Sequence, residues 1–231
     1  MSTEPLILAV ETATLAGSIA TARGAQIIGS LKGDAAVSHS NTLLADLDRL
    51  LEQTRVQVAD VDLYAVAAGP GSFTGLRIGI ATVKALAATL GRSCAAIPTL
   101  QAVALSGGVS DATVALLPAG RGEVYAQLFA VSNDGAVTAS DDAAHIAPRK
   151  MIEKYNSLER LLWCGEGAIA QRELIESAAA GKDWRIAALP ENLAQHVAAL
   201  ALGKFRQDQL VGPDALQAIY VRPSDAELKV S

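Results

Sequence analysis

Extended apolar patterns open the chain. Residues 6–10 (LILAV) are apolar throughout, and residues 17–31 (GSIATARGAQIIGSL) have the composition of extended segments, with a turn expected at Arg23-Gly24. Together they predict a β-meander at the start of the fold. Residues 61–68 (VDLYAVAA) form a later, short and mostly apolar segment, which predicts a buried strand.

The next pattern has helical spacing. Between residues 40 and 54, leucines fall on one side of a helical wheel, while Asp48, Arg49 and Glu52 take the other side. The leucines concerned are Leu43, Leu44, Leu47, Leu50 and Leu51. The pattern predicts an amphipathic helix.

A second helical pattern covers residues 73–90 and carries its own start and stop signals. Ser72 can accept hydrogen bonds from N–H groups of the first turn, and Gly91 suits the left-handed residue that ends a helix. Gly75 and Gly79 lie four residues apart and leave a notch without side chains. Another backbone could approach closely there.

The remainder of the chain alternates between strand and helix patterns. Strands are expected at residues 94–98, 113–117 and 124–131, and helices at residues 99–106, 151–162, 168–180 and 193–205. The alternation predicts an α/β fold with two domains. We place residues 1–102 and 206–231 in the first domain and residues 103–205 in a smaller second domain.

Composition narrows the class of protein. The chain has 231 residues, and 51% of them are hydrophobic, which favours a folded protein. Its net charge of -5 argues against a protein that binds nucleic acid by itself. Cys94 and Cys164 stand far apart, which disfavours a disulfide framework. With no signal-like start and no segment approaching the length of a membrane span, we expect a cytoplasmic protein without a membrane partner.

The glycine turn at residues 67–76 (AAGPGSFTGL) fails three chemical motifs. A Walker loop requires a Gly-Lys pair that is absent here, a dinucleotide fingerprint requires glycine at Thr74, and a nucleophile elbow requires glycine at Pro70. A glycine turn that leads into a helix N-terminus remains a generic anion site. The turn is therefore either an anion site or a packing corner, and we favour packing.

Other candidate groups also have ordinary explanations. His39, His145 and His196 are widely separated, which argues against a zinc site built from them. Glu123 beside Arg121 could serve acid–base chemistry, although a loop ion pair is the simpler reading. The two apolar helices could be core elements or could form a helix-on-helix interface, and the pattern alone leaves both open.

Several of these segments together resemble the TsaB (YeaZ) family, bacterial accessory subunits for making threonylcarbamoyladenosine in tRNA. The resemblance covers nearly the whole chain and is most specific at GPGSFTGLRIG. It rests on LAVETAT at 8–14, His39, GPGSFTGLRIGIATVKALA at 69–87, GRGEVY at 120–125, the Gly165-Glu166-Gly167 turn and IYVR at 219–222. It implies the actin-like, sugar-kinase-like (ASKHA) fold with two α/β domains.

The resemblance also implies a division of labour. A catalytic sister, TsaD, carries a metal-binding His-x-x-x-His soon after the same helix, and Thr99 and Val103 stand at those places here. Neither side chain can hold a metal as imidazole does. The resemblance thus implies a non-catalytic subunit without a cofactor or metal of its own, with ATP and metal held by its partners.

The implied partners are a TsaD-like catalytic subunit, a TsaE-like ATPase and, through the complex, tRNA. The isolated protein is expected to pair with itself. In the family the two apolar helices form the docking surface. We therefore expect the contacts to be made by Leu43, Leu47, Leu50, Leu76, Ile80 and Val83, with Gly75 and Gly79 allowing close approach.

Departures from the family pattern bear on nucleotide binding. Glu11 stands where the family usually has aspartate, and Pro118-Ala119-Gly120 replaces a common Asp-Ala-Arg. These differences weaken the case for binding of a nucleotide or tRNA phosphate by this chain alone. The residues that could still make such a contact are Thr12, Gly71, Ser72 and Arg121.

Two rival hypotheses remain. The chain could be an autonomous nucleotide hydrolase or metallopeptidase-like enzyme, which the missing metal ligands oppose. It could also be a homodimeric protein with a regulatory binding role, which the same helix pair would support.

Overall fold

The structure, a computed structural model, describes residues 4–36 and 39–221, with the side chains of residues 39–41 left out of that description. The side chain of His39 therefore lies outside the described residues. The chain divides into two compact units. The first contains the residues up to 102 together with 191–219, and the second contains residues 103–190 together with 220–221 of the described tail.

The first unit is built on a five-stranded mixed sheet in the order β3-β2-β1-β4-β5. Its strands are β1 (Leu6–Glu11), β2 (Ser18–Arg23), β3 (Gln26–Lys32), β4 (Leu63–Gly69) and β5 (Ser93–Pro98). The first three run antiparallel, and β4 and β5 are parallel to β1. The expected meander and its turn at Gly24, which has a φ of 54°, are confirmed.

Helices pack against this sheet through the apolar stripes that the sequence contains. They are α1 (His39–Thr54), α2 (Phe73–Leu90) and α7 (Ala194–Arg206), while α3 (Thr99–Ser106) crosses from one unit to the other. A core cluster joins α1 and α2 to β1 and β4, and it includes Leu8, Leu47, Val66 and Val83. The predicted bounds of α2 and α3 are confirmed, and that of α7 differs by one residue at each end.

The second unit contains a six-stranded sheet, in which five strands follow the order β11-β10-β6-β7-β8 and the sixth, β9, also pairs with β7. The strands are β6 (Ser110–Gly120), β7 (Glu123–Val131), β8 (Val137–Ala139), β9 (Ala144–Ile146), β10 (Arg160–Cys164) and β11 (Asp183–Ile186). The helices are α4 (Pro148–Tyr155), α5 (Glu166–Ala170) and α6 (Arg172–Ala178). Trp163, Met151 and Ile175 lie in its core.

The sequence prediction of this second unit differs from the structure in several stretches. The helix expected at residues 168–180 is two helices, α5 and α6, and strands β8, β9 and β11 were not predicted. A single helix over 151–162 was expected, but α4 ends at Tyr155 and residues 160–164 form β10, parallel to β6. Leu161 and Trp163 are buried at alternate positions, as in a strand. The strand's partners, β6 and β11, are distant in sequence, so the local pattern did not reveal it.

The second domain boundary also needs correction. The predicted boundary at residue 206 assigned α7 to the second domain, whereas the structure places residues from 191 in the first unit. Asn192 donates to the carbonyls of Ile19 and Leu31, and the N–H of Ala194 donates to Ser18. These bonds tie the start of α7 to β2 and β3.

The expected return of the C-terminal segment to the first domain is confirmed for residues 206–219, whereas residues 220–221 belong to the second unit. Val211 and Cys94 exchange backbone hydrogen bonds at the edge of β5, and the N–H of Ile219 donates to Ala68 at 2.7 Å. Leu216 between them is buried in the first core. The segment therefore closes one edge of the sheet and lies beside the end of β4.

The length and hydropathy of helix α2 bear on the expectation that no segment of the chain approaches the length of a membrane span. Within residues 4–36 and 39–221 it is the one helix that, by length and composition alone, could cross a membrane. The expectation that no segment reaches such a length is therefore corrected. Its residues Ile80, Val83 and Ala87 lie in the core of the first unit, which is the position of a core helix.

Candidate functional site: the glycine turn and the helix pair

The glycine turn joins β4 to α2 and is held by hydrogen bonds that its backbone N–H groups donate. The N–H of Gly69 donates to Oγ1 of Thr99, and the N–H of Ser72 donates to the carbonyl of Ala13 at 2.8 Å. The hydroxyl of Ser72 accepts from the N–H of Gly75, so the predicted cap is confirmed. Gly91 ends the helix with a φ of 62°, also as predicted.

The notch formed by Gly75 and Gly79 is filled from within the same unit. A Cβ at Gly75 would lie 1.8 Å from the carbonyl oxygen of Thr12, and one at Gly79 would lie 2.3 Å from Oγ1 of Thr12. Oγ1 of Thr12 donates to the carbonyl of Gly75 at 2.8 Å. The glycines therefore let the chain after β1 press against α2, and the turn is a packing corner.

The predicted docking side chains are also internal, which corrects that assignment. The residues concerned are Leu43, Leu47, Leu50, Leu76, Ile80 and Val83. None is more than 9% exposed, and all but Leu76 belong to the core cluster between the sheet and the helices. The stripe of each helix faces the sheet because burial of an aliphatic side chain there stabilises the monomer itself. A charge at these positions would disrupt the core rather than report on an interface.

The helix pair nevertheless offers an apolar groove to solvent. This groove, called the α1 groove below, has a volume of about 630 Å³. It is lined by Leu8, Leu44, Leu47, Asp48, Leu51, Glu52, Arg55, Val56, Gln57, Val58 and Leu86. Leu44, which lines the groove, is 68% exposed.

A second exposed apolar group lies at the start of α2. Phe73 is 52% exposed, and the guanidinium carbon of Arg77 lies 3.9 Å from the centre of its ring. This spacing is that of a cation–π contact. The sequence pattern did not predict either residue as a contact, because helical periodicity indicates the buried apolar face of a helix and not its exposed side chains.

Glu11 is the last residue of β1, and its side chain reaches Thr14 in the turn that follows. Its side chain is 1% exposed, and its two carboxylate oxygens accept from both the N–H and the hydroxyl of Thr14, at 2.7 and 2.8 Å. The hydroxyl of Ser18 donates to Oε2 at 3.4 Å. The sequence marked Glu11 only as a departure from the family pattern, and its hydrogen bonding could not be read from the sequence.

The residues proposed for nucleotide or phosphate contact do not all lie together. Thr12, Gly71 and Ser72 share the corner where the β1–β2 turn meets α2, and a Cβ at Gly71 would lie 2.6 Å from the carbonyl oxygen of Ala13. Arg121 lies in the second unit at the tip of the β6–β7 turn, with a left-handed φ of 50°. Thr12 is 1% exposed and already hydrogen bonded.

The two places of the sister's histidines have packing roles. Thr99 is fully buried and accepts from Gly69, and Val103 is 2% exposed within the second unit, where its Cγ1 approaches Gly165. Within the described part of the chain, no cluster of three or more His, Cys, Asp or Glu side chains is placed to hold a metal ion.

Glu123 has a different partner from the one the sequence suggested. Its Oε2 lies 2.6 Å from Nε2 of His145 on β9, although the two are not aligned as a hydrogen bond. The ring of Tyr125 lies 5.2 Å from that of His145. The loop ion pair with Arg121 is thus replaced by a cross-strand contact, because β9 pairs with β7.

Burial shifts the pKa values of several side chains. Desolvation raises the pKa of the Cys94 thiol to about 11 and that of Cys164 to about 12. Desolvation also lowers the pKa of His196 and of Lys204, whose Nζ donates to the carbonyl of Ala96. Neither thiol has the lowered pKa of a catalytic cysteine.

The class of protein follows from these two units. A mixed five-stranded sheet with helices on both faces, joined to a second α/β unit, is the actin-like, sugar-kinase-like (ASKHA) architecture expected above. The structure of YeaZ from Pseudomonas aeruginosa has the same fold, with a TM-score of 0.79 and 23% identity over 94% of this chain and 100% of that one.

The family follows from the sequence comparisons. The model described as TsaD, tRNA N6-adenosine threonylcarbamoyltransferase, matches residues 25–203, and the chain belongs to this family. It is 27% identical to the tRNA threonylcarbamoyladenosine biosynthesis protein TsaB of Bacillus subtilis over 225 residues, 96% of each chain. The resemblance to TsaB (YeaZ) is thereby confirmed.

The likeness to the transferases themselves is shorter. The tRNA N6-adenosine threonylcarbamoyltransferase of Erythrobacter litoralis is 34% identical over 77 residues, which are 33% of this chain and 22% of that one. The chain is thus similar to TsaB over nearly its whole length and to this transferase over a third of it.

Proposed function

We propose that this chain is a non-catalytic subunit in the biosynthesis of threonylcarbamoyladenosine in tRNA, acting in the cytoplasm. It pairs with a TsaD-type transferase and supports that enzyme together with a TsaE-type ATPase. The observation that carries the proposal is the contrast in coverage: 96% of both chains for TsaB, against 33% and 22% for a transferase.

The packing of Thr99 and Val103 supports the non-catalytic part of the proposal. Both side chains are buried, and neither is a usual metal ligand. We therefore assign ATP and the catalytic metal to the partner subunits. The contribution of this chain is a surface that holds the transferase.

We place that surface on the α1 groove, in place of the buried stripe expected from the sequence. The groove combines apolar walls with charged residues at Asp48, Glu52 and Arg55, the usual anatomy of a protein interface. Burial of Leu44 in such a contact removes a large apolar side chain from water. The same surface would serve a second copy of this chain when the transferase is absent.

Reconstitution tests the function directly. The transferase, the ATPase and tRNA are combined with and without this chain, and threonylcarbamoyladenosine is measured by mass spectrometry of digested tRNA. We expect modification only when the chain is present. Equal modification without it would contradict the proposal. Stoichiometric metal in the purified chain, or ATP turnover by it alone, would favour the autonomous enzyme instead.

The surface is tested by the matched variants Leu44→Asp and Ala45→Asp. Both positions are exposed on α1, but Leu44 lines the groove and Ala45 does not. We expect Leu44→Asp to weaken transferase binding by about tenfold or more, measured by calorimetry, and Ala45→Asp to leave it unchanged. Sedimentation shows whether self-pairing is lost in parallel. Equal binding by both variants would refute the assignment of the groove.

A further inference from the structure

Helices α1 and α2 end in the same hydrogen-bonded motif, but with different residues at its left-handed position. In α2 this residue is Gly91, with a φ of 62°. In α1 it is Arg55, with a φ of 54°, and its N–H donates to the carbonyl of Glu52 at 3.2 Å. The N–H of Val56 donates to the carbonyl of Leu51 at 3.0 Å. These two bonds complete a Schellman motif, in which the left-handed residue is usually glycine.

The contacts of the Arg55 side chain do not explain why glycine is absent there. A β-carbon makes the left-handed conformation costly, and Asn, Asp and His are the residues that tolerate it best after glycine. Arg55 is exposed, and within residues 4–36 and 39–221 its guanidinium makes no ion pair or hydrogen bond. A cation near the last carbonyls favours the helix dipole, but a basic residue in the last turn would supply it without strain. The strained position therefore points to a role outside the monomer.

Arg55 shares the α1 groove with two acidic residues. Asp48, Glu52 and Arg55 all line it. Asp48 and Glu52 are four residues apart on α1, and Glu52 and Arg55 are three apart, a spacing at which opposite charges often pair. In the described part of the chain no ion pair joins any two of these three, and the pair within α1 is that of Arg49 with Asp46. The groove thus presents two negative charges along α1 and one positive charge beyond its end.

We propose that Arg55 is a specificity-determining residue of the α1 groove, where it pairs with a carboxylate of the transferase. The proposal rests on the function proposed above, in which the groove holds that enzyme. The occupant is an amphipathic helix of the transferase, whose apolar face covers Leu44 and Leu51. Its acidic side chain lies at Arg55, and its basic side chains lie near Asp48 and Glu52. The charges fix the direction of this helix, because the reverse direction would bring like charges together.

Arg55→Gly separates this role from a structural one, because it should change stability and binding in opposite senses. Glycine relieves the left-handed strain, so we expect the melting temperature to rise by about 1–3 °C. The same variant should bind the transferase about tenfold more weakly, measured by calorimetry. Arg55→Glu should weaken binding by about a hundredfold at low salt, since it brings two acidic groups together.

Two control variants match these changes outside the groove. Asp208→Gly relieves the left-handed residue after α7, with a φ of 55°, and should leave transferase binding unchanged. Arg49→Glu makes the same charge change at an exposed position of α1 that does not line the groove, and should also leave binding unchanged. A loss with Arg49→Glu as large as that with Arg55→Glu would reveal a general effect of net charge and would overturn the proposal.

Leu44→Asp distinguishes failure of this proposal from failure of the docking surface. Unchanged transferase binding by both Arg55 variants overturns the role of Arg55. The groove remains the docking surface if Leu44→Asp still weakens binding, and it is lost as well if Leu44→Asp has no effect. Sedimentation covers the other occupant, because loss of self-pairing by Arg55→Gly with transferase binding intact would assign Arg55 to a second copy and overturn the proposal.

Charge reversal on the transferase identifies the carboxylate. Acidic residues on its exposed helices are changed to Lys one at a time, and each variant is titrated with Arg55→Glu. We expect one of them to restore the affinity to within about threefold of the unaltered pair. Restoration by none of them would contradict a direct pairing with Arg55.

Discussion

At the scale of single residues, burial removes the reactivity that composition alone would allow. Cys94 is fully buried and Cys164 is 1% exposed, with no disulfide at either. Desolvation raises the pKa of Cys94 from 9.0 to about 11 and that of Cys164 from 9.0 to about 12. The sequence showed two unpaired cysteines but not that both are thiols in a core.

These shifts predict a loss of stability in alkali. The folded state disfavours both thiolates, so the stabilisation is complete below the unfolded thiol's pKa near 9 and is lost as the pH rises towards 11 and 12. Between about pH 9 and pH 10, the free energy of unfolding should fall with a slope approaching about 1.4 kcal/mol per pH unit for each thiol. Urea denaturation over that range measures the slope.

Two cysteine variants provide the control, and the quantity compared is the slope of the free energy of unfolding against pH. Cys94→Ala and Cys164→Ala should each remove about half of the thiol contribution to the slope, whereas lost packing shifts the curve equally at every pH. Identical slopes in the variants and the wild type would mean that the thiols do not titrate in this way.

At the scale of elements, α2 shows how a helix can be predicted correctly while its contacts are not. Its bounds, its cap at Ser72 and its end at Gly91 all follow from local sequence and are confirmed. The notch at Gly75 and Gly79 was also present in the sequence, but its occupant, Thr12, comes from more than sixty residues earlier. Local periodicity cannot say which element fills a notch.

Substitution of helix glycines separates packing from propensity. Gly75→Ala should destabilise the protein by about 1–3 kcal/mol, because its Cβ would meet backbone of Thr12 at 1.8 Å. Gly203→Ala, inside α7 with no atom within 4 Å of the added Cβ, should instead stabilise it by up to about 1 kcal/mol. Denaturant midpoints report both. A stabilising Gly75→Ala would mean that the notch is not filled by Thr12.

At the scale of the whole molecule, charge and length constrain what the chain does alone. A net charge of -5 disfavours contact with a polyanion, and the similarity to TsaB extends over nearly the full chain. These properties agree with the role proposed above, in which partner proteins would provide the tRNA contact. The net charge and the extent of this similarity are properties of the whole chain and not of a single side chain.

The purified chain should therefore bind tRNA weakly by itself. We expect a dissociation constant of about 10 µM or weaker at physiological salt, with a shallow salt dependence because few phosphates are neutralised. Fluorescence anisotropy with labelled tRNA measures both quantities. Submicromolar binding with a steep salt slope would place a tRNA site on this chain and revise the division of labour.

The sequence by itself determined the α/β class, the bounds of the main helices, the caps of α2 and the family, because these depend on local periodicity, capping chemistry and continuous motifs. The short strands β9 to β11 escaped it, since they are defined by partners distant in the chain. Strand β8 pairs with the neighbouring β7 but has only 3 residues, too few to show a periodic pattern. Tertiary structure alone decided that the leucine stripe is internal, that Leu44 and the α1 groove face solvent, and that the Glu11 carboxylate accepts hydrogen bonds from Thr14. The physical reason is that burial and hydrogen-bond partners depend on which elements meet, and the local pattern of a helix shows that it has an apolar face without showing what covers it.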